Sequence, residues 1–224
     1  MRYLVALAWV LAVALANPAE LLKEGAYQAA YREALDAGQY VLAARAASFY
    51  ALYQAQDRKE KEAWFDRAEK AARKAIQADP NDPEGYFELA RALGRLAQYR
   101  GILQSLSLAS AVRDNLNKAL ALKPDHAGAL VALALWNLEL AQKGVGWLYG
   151  ARIGRVVPLF EKAIRLEPKA IIHRVEYAGA LARMGKRKAA LAQLQVALSL
   201  APKDARDRYE QERAQRLLNQ ILGR

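Results

Sequence analysis

The sequence contains no cysteine and no threonine, and it has only two histidines and two methionines. Without cysteine the chain has no disulfide framework, no thiolate metal site and no lipid-attachment site of the bacterial lipoprotein kind. Neither His126 nor His173 lies in a metal-ligand signature such as HExxH, and we expect both at the surface or at a helix end. The sequence therefore predicts no metal site and no cofactor.

Signatures of catalysis are also missing. None of the five serines stands in a G-x-S-x-G setting. Glu88, Glu139 and Glu176 could in principle supply a pair of carboxylates for acid–base chemistry. Carboxylates on helix surfaces with nearby arginines are far more common, and we interpret all three in that way. The sequence therefore predicts that the protein is not an enzyme.

The N-terminus has the features of a secretory signal. Arg2 precedes an apolar run over residues 3–15, which is shorter than the roughly 20 residues that span a bilayer. Residues 14–16, Ala-Leu-Ala, match the small-x-small pattern of a cleavage site. We expect residues 1–16 to be a signal peptide and the mature chain to begin at Asn17, outside the cytoplasm, in the periplasm or beyond. The alternative is an uncleaved N-terminal anchor.

A repeated pattern indicates the fold. The stretches ARKAIQADP, LNKALALKP, FEKAIRLEP and LQVALSLAP end at Pro80, Pro124, Pro168 and Pro202, and each has an alanine five residues before its proline. The intervals are 44, 44 and 34 residues. A small alanine lets helices approach closely, and a proline ends the helix before it. The 34-residue interval with this pattern resembles the tetratricopeptide repeat, a pair of antiparallel helices.

This resemblance implies an all-α fold, a right-handed superhelical stack of helix pairs forming a single domain over residues 17–224. Apolar spacing predicts three helices upstream of the repeats, at 19–37, 39–55 and 59–78. The polar-rich, amphipathic stretch 204–222 is predicted to be a capping helix, which a stacked array needs for solubility. The ten extra residues of each longer repeat are expected between the two helices of the pair.

A narrower resemblance covers residues 64–204. The stretches GALVALALW at 128–136 and LFEKAIRLEP at 159–168, together with Trp147, resemble the regulator of microtubule dynamics family. The resemblance implies a shared scaffold and a binding role rather than catalysis. The microtubule association of that family is not expected in a chain with a secretory signal.

The glycine-rich stretch GVGWLYGARIGR at 144–155 follows a predicted helix, and the chain has no convincing strand. A dinucleotide fingerprint requires a strand before the glycines, so we interpret this stretch as an inter-helix connection. We expect Trp147 to fold back and cover the connection, because tryptophan is usually buried. An exposed aromatic tip beside Arg152 and Arg155 is the alternative.

Positive charge is concentrated in one part of the chain. Residues 17–142 contain 16 basic and 16 acidic residues, whereas residues 143–188 contain 11 basic and 3 acidic residues. Lys186, Arg187 and Lys188 open a helix, where the helix dipole disfavours cations. With Arg152 and Arg155 they form a predicted basic patch. Its expected partner is an acidic polypeptide or, alternatively, an anionic membrane or envelope polymer. Secretion argues against nucleic acid.

Tetratricopeptide arrays bind extended peptides on a concave face lined by the first helix of each pair. The resemblance implies such a face in this chain, formed as an apolar floor edged by arginines. The two-carboxylate clamp of chaperone-tail binders is absent. Burial of the same apolar residues under a neighbouring helix or a second subunit remains open, and the sequence does not indicate an oligomeric state. The implied residues of the concave face are Phe87, Arg91, Arg95, Val131, Leu135, Leu138, Val175 and Arg183.

Overall fold

The computed structural model describes residues 17–99 and 102–223, and within them every regular element is helical. The predicted signal peptide at 1–16 lies outside the described residues. The prediction of an all-α helical repeat fold is confirmed. The twelve α-helices of the described residues are α1 Pro18–Glu24, α2 Tyr27–Asp36, α3 Tyr40–Tyr53, α4 Arg58–Ala78, α5 Pro83–Leu96, α6 Ile102–Leu122, α7 Ala127–Gln142, α8 Gly146–Tyr149, α9 Val156–Leu166, α10 Ile171–Arg183, α11 Arg187–Ser199 and α12 Ala205–Leu222.

Helices pack in successive pairs, α3 with α4, α5 with α6, α7 with α9, and α10 with α11. Asp82 caps α5 by accepting a hydrogen bond from the Glu84 N–H, with Pro83 at the first helical position. Asp204 caps α12 in the same way. At α7 the cap is His126, whose Nδ1 accepts from the Ala129 N–H at 3.2 Å. Polar caps therefore begin the helices after Pro80, Pro124 and Pro202, whereas α10 after Pro168 begins at Ala170 without a side-chain cap.

The alanine of each repeat motif lies at a close helix crossing, as predicted. Ala119, Ala163 and Ala197 are fully buried, and Ala75 is nearly so. Ala163 belongs to a core cluster with Val131, Leu138 and Phe160, where α9 packs against α7. A larger side chain at this position has no free volume to occupy, because protein interiors are close-packed.

The Ala163→Leu substitution should therefore lower the free energy of unfolding by about 1–3 kcal/mol through overpacking. Chemical denaturation followed by circular dichroism measures the change. Ala192→Leu is the matched control, since Ala192 is exposed on the surface of α11. An unchanged midpoint for Ala163→Leu would show that this alanine is not at a tight crossing.

The two longer repeats accommodate their extra residues in different ways. In the first, α6 extends to 21 residues, so the insertion lengthens the second helix. In the second, α9 has 11 residues, and the insertion forms the four-residue helix α8 and a short 3₁₀ turn at Ile153–Arg155. Only the second insertion is thus a connection of the predicted kind.

The N-terminal part differs from the prediction of one helix over 19–37. Gly25 adopts φ = 90°, a left-handed conformation that ends α1, and α2 begins two residues later. The short α1 lies against α12 as well as α2 and α3. A Cβ atom on Gly25 would be 2.8 Å from the Ala205 Cβ, so the two helices meet closely. The two ends of the array are therefore in contact.

Candidate functional site

The implied concave face does not form an apolar floor. Leu138 and Val175 are fully buried and Val131 is nearly so, and all three pack in the core between adjacent helices. Leu135 is half-buried against the same core as Val131 and Leu138. The α7 sequence is apolar on nearly all sides, because the helix is covered by neighbouring helices rather than facing a groove. Burial under a neighbouring helix is the correct alternative for these residues.

The remaining implied residues of the concave face have other partners. Phe87 packs on the start of α7, with its ring centroid 4.6 Å from that of His126. Arg183 joins the ends of α7 and α10, donating from Nη2 to Glu139 Oε2 at 2.7 Å and from Nε to Gln142 Oε1 at 2.9 Å. Arg91 and Arg95 do face the interior of the array, but they meet charged and aromatic groups there.

The interior side of the array contains the C-terminal helix α12, which is held by a network of charges. The Glu176 carboxylate on α10 forms two ion pairs, one with Arg95 at 3.4 Å and one with Arg213 of α12 at 3.0 Å. Arg213 also pairs with Glu210 at 2.9 Å, and the Tyr53 hydroxyl donates to Glu210 at 2.6 Å. These contacts connect α3, α5, α10 and α12. We call the surface of α3, α5 and α10 that faces α12 the inner groove.

A second set of ion pairs lies beside the first. Arg45 on α3 donates to Glu88 at 2.9 Å and to Glu84 at 2.7 Å. Arg91 pairs with the other oxygen of Glu88, and its guanidinium carbon lies 5.0 Å from the centroid of the Phe49 ring. Glu88 is fully buried, and Glu176 is nearly so. The interpretation of these two glutamates as surface carboxylates is therefore wrong, although their pairing with arginines is as expected.

Burial and ion pairing act in opposite directions on these carboxyl groups. Burial raises the pKa of Glu210 above its usual value, and Arg213 offsets only part of this effect. At Glu176 burial also acts to raise the pKa, but Arg213 and Arg95 together hold it below its usual value. Glu176 is therefore the charged centre of the network.

Sequence reasoning missed the part of this network that α12 contributes. Arg206, Glu210 and Arg213 recur at intervals of four and three residues, which places them on one face of a helix. The buried Ala205 and Ala214 lie on either side of this face. The spacing of these three charged residues was the available signal in the sequence. It indicates that the polar side of the capping helix contacts other helices.

The predicted basic patch is exposed in all five members. Lys186, Arg187 and Lys188 open α11, and Arg152 and Arg155 lie in the connection before α9. The bonds of Arg183 to Glu139 and Gln142 bring the ends of α7 and α10 together, so both groups lie on the same edge of the array. No acidic residue occurs between Leu140 and Phe160. We call the five cations the basic edge.

Trp147 does not fold back, contrary to expectation. Its side chain is 79% exposed, and the neighbouring Leu148 and Ile153 are 58% and 47% exposed. Tyr149 and Ala151 pack inward instead. We call the exposed apolar group formed by Trp147, Leu148 and Ile153 the apolar tip.

Hydrogen bonds to the backbone hold the connection that carries the apolar tip. The Arg113 guanidinium donates to the Tyr149 carbonyl at 3.2 Å, and the Arg152 N–H donates to Asn137 Oδ1 at 2.7 Å. Asn137 is itself buried and donates to the Leu133 carbonyl. The connection is therefore fixed from below while its outer side chains remain in solvent.

The Trp147→Ala substitution should consequently change the free energy of unfolding by no more than about 0.5 kcal/mol, as is usual for exposed positions. Thermal unfolding measures this effect. The comparison variant is Trp136→Ala, because the Trp136 ring is buried and its Nε1 donates to the Ala109 carbonyl; it should cost about 3–5 kcal/mol. A large loss for Trp147→Ala would place that ring in the core.

The two histidines have structural partners. His126 caps α7, and His173 Nε2 lies 2.9 Å from Glu167 Oε2; both side chains are buried, so they lie at helix ends but not on the surface. The described residues contain no group of three or more histidine, aspartate or glutamate side chains arranged to hold a metal ion. Among the same residues, no helix is long and apolar enough to cross a membrane.

The helix pairs, repeat alanines and repeat prolines define a tetratricopeptide-type helical repeat protein. The solved structure of TTC0263, a thermophilic TPR protein in Thermus thermophilus, is similar, with a TM-score of 0.65 and 21% identity over 88% of this chain and 95% of that one. The solved structure of MamA shows a TM-score of 0.43 and 18% identity over 75% of this chain and 95% of that one. No curated protein sequence matches significantly.

The family model for regulator of microtubule dynamics protein 1-3 matches residues 12–149. The chain belongs to that family. The matched region differs from the expected one at 64–204, because it begins before α1 and ends at α8. The stretch at 159–168 therefore lies outside the match, and the upstream helices α1–α3 belong to the family's recognisable part.

Proposed function

We propose that the protein is a non-catalytic scaffold for protein–protein interaction that works outside the cytoplasm and binds an acidic polypeptide at the basic edge. The observation that best supports this proposal is that all five cations of that edge are exposed. Opposite charges on a partner would be attracted over about a Debye length, roughly 8 Å at physiological salt. Such an interaction needs no cofactor and no reacting group.

The position of α12 supports the basic edge over the inner groove as the site for an extended peptide. Arg91 and Arg95, which were expected to edge a peptide groove, are engaged with Glu88 and Glu176. Arg152, Arg155 and the cluster at 186–188 form none of the ion pairs seen among the described residues. They are the cations that an acidic partner would reach first.

The extracytoplasmic part of the proposal depends on residues 1–16. Mass spectrometry of protein extracted from the cell envelope should give Asn17 as the N-terminal residue. Intact Met1 on protein in a soluble cytoplasmic fraction would contradict it.

The apolar tip favours a second candidate, peripheral binding to an anionic membrane or envelope polymer. Tryptophan and aliphatic side chains next to arginines are suited to the boundary between lipid headgroups and acyl chains. Trp147, Leu148 and Ile153 stand next to Arg152 and Arg155 in this arrangement. The same surface would then bind lipid instead of polypeptide.

Charge reversal tests the proposal. Arg152→Glu with Arg155→Glu should weaken binding of a glutamate-rich peptide by about tenfold or more, equivalent to about 1.4 kcal/mol, without changing the melting temperature. Raising the salt concentration should weaken wild-type binding as well. The control, Arg32→Glu with Lys70→Glu, makes the same charge change at exposed positions outside the basic edge and should bind normally.

Vesicles separate the two candidates. Sedimentation with phosphatidylglycerol–phosphatidylcholine vesicles should leave the wild-type chain in the supernatant while the peptide binds. Sedimentation that Trp147→Ala abolishes, together with no binding of the acidic peptide, would instead favour the membrane candidate.

A further inference from the structure

A surface pocket lies between the turns that precede α3 and α5. It has a volume of about 300 Å³ and is formed where the α2–α3 turn meets the end of α4 and the α4–α5 turn. Its lining includes the apolar side chains of Tyr40, Val41, Leu42, Ala75 and Ala78. This volume is at the lower end of the range for ligand pockets, so the pocket suits one large side chain rather than a whole helix.

The rim of this pocket is negatively charged. Asp79 and Asp82 belong to its lining, and Asp36 ends α2 immediately before the α2–α3 turn. Asp82 caps α5, but none of the three aspartates is in an ion pair with a basic side chain of the described residues. Lys74 lies beside the pocket as well, with its Nζ 5.6 Å from the centroid of the Tyr40 ring. Three carboxylates therefore outnumber one ammonium group, and we call this site the acidic pocket.

The acidic pocket and the apolar tip lie at opposite edges of the array. The start of α7 is at the edge of the pocket, because His126 Nε2 lies 3.3 Å from Oε1 of Glu84 in the first turn of α5. The apolar tip follows the other end of α7, a helix of 16 residues. A helix of this length extends about 24 Å. The pocket and the tip of one molecule therefore cannot touch, whereas those of two copies in similar orientation can.

The two surfaces are complementary in shape, polarity and charge. The apolar tip projects from the protein with Trp147 79% exposed, whereas the acidic pocket is concave and lined largely by apolar side chains. Arg152 and Arg155 flank the tip, and the pocket carries the unpaired aspartates. An aromatic side chain that fills a pocket inside a ring of polar groups is a typical anchor of a protein interface. The chain thus carries both halves of such an interface.

We propose that copies of this chain assemble head to tail, with the apolar tip of one copy inserted in the acidic pocket of the next. Arg152 and Arg155 then face the aspartates of the pocket. The inference rests on the proposed function for the acid-binding role of these two arginines, and it adds a second copy of the chain as the partner. Because the two surfaces differ, the contact is heterologous, and the assembly grows unless it closes into a ring.

Sedimentation velocity at low salt tests the inference with the full chain. The weight-average mass of the unmodified chain should at least double between about 10 µM and about 1 mM, as expected for a small and weak contact. High salt should reverse the increase, since exposed charges are screened. Trp147→Ala removes the anchor of the tip, and Ala78→Arg places a large cation in the pocket from an exposed position at the end of α4. Each variant alone should stay monomeric.

A mixture of the two variants is the sharpest measurement. Trp147→Ala keeps an intact pocket and Ala78→Arg keeps an intact tip, so the mixture should form a dimer and nothing larger. The matched control is Ala192→Arg, which introduces the same side chain at an exposed position of α11 and should assemble as the unmodified chain does. A mixture that stays monomeric would overturn the inference, and so would an Ala78→Arg variant that assembles alone.

The glutamate-rich peptide separates a failure of this inference from a failure of the proposed function. Trp147→Ala has an intact basic edge and should bind that peptide as well as the unmodified chain does. An unmodified chain that binds the peptide but stays monomeric at the highest concentration would overturn the assembly alone. A chain that assembles but does not bind the peptide would contradict the proposed function alone. A monomeric chain that Trp147 holds on phosphatidylglycerol vesicles would assign the tip to a membrane and overturn the assembly.

Discussion

Replacing Glu176 by alanine should lower the free energy of unfolding by about 1–3 kcal/mol, because it leaves two half-buried arginines without their common partner. The Glu176 carboxylate receives Arg95 from α5 and Arg213 from α12. Its removal leaves the half-exposed Arg95 and Arg213 without a shared counter-charge, although Arg213 keeps its ion pair with Glu210. Chemical denaturation measures the loss.

The control for Glu176→Ala is Glu212→Ala on the exposed side of α12. Glu212 is 64% exposed and lies 3.8 Å from Arg216, a pair that should contribute at most about 0.5 kcal/mol. If Glu176→Ala cost no more than this control, the charge network would have no role in holding α12 in the groove.

The second large expected effect is a loss of stability at low pH, which depends on Glu84. His126 and Arg45 outweigh the effect of partial burial and lower the pKa of Glu84 to about 2, from an ordinary value of 4.5. A carboxyl group with a lowered folded-state pKa stabilises the fold above its unfolded pKa and loses this contribution as the pH falls through the folded value. The window for Glu84 therefore runs from about pH 4.5 down to about pH 2.

We expect Glu84→Gln to be less stable than the unmodified chain by up to about 3 kcal/mol at pH 7, since one pKa unit corresponds to 1.36 kcal/mol. The difference should shrink as the pH falls from 5 to 2, and denaturation series at several pH values measure it. Glu212→Gln is the control and should show a small difference at every pH. A Glu84→Gln difference that stays constant down to pH 2 would contradict the role of this ion pair.

The repeat motif made the fold predictable. An alanine at a fixed position indicates where two helices cross, and a proline indicates where a helix ends. Both features can be recognised from a short stretch of sequence. Ala119, Ala163 and Ala197 are buried as expected. The family match and the helical repeat architecture agree with this part of the prediction.

The structures of the two insertions could not be predicted from the nearby sequence. Both longer repeats exceed the third by the same number of residues, yet one insertion extends α6 and the other forms the apolar tip. Trp147 was expected to be buried because of its residue type, but the gap beneath the connection is filled by Tyr149 and Ala151. Which aromatic side chain turns inward depends on Asn137 and Arg113, partners that are not adjacent in the sequence.

The inner groove was predictable only in part. The resemblance placed Arg91 and Arg95 on the first helix of a pair, and in the structure both lie on α5 and pair with glutamates. It could not indicate their partners, because Arg95 meets Glu176, which is 81 residues away in the chain. The apolar residues at 131, 138 and 175 were assigned to a groove that α12 and the neighbouring helices cover.

The contact of α12 with α1 has a consequence for how the whole array unfolds. In an open repeat array each unit interacts only with its neighbours, so the terminal units can fray independently. Here Gly25 and Ala205 bring α1 and α12 together, so the two ends of the described array support each other. Unfolding should therefore be a single cooperative transition while α12 is in place, and should separate into steps once a variant releases it.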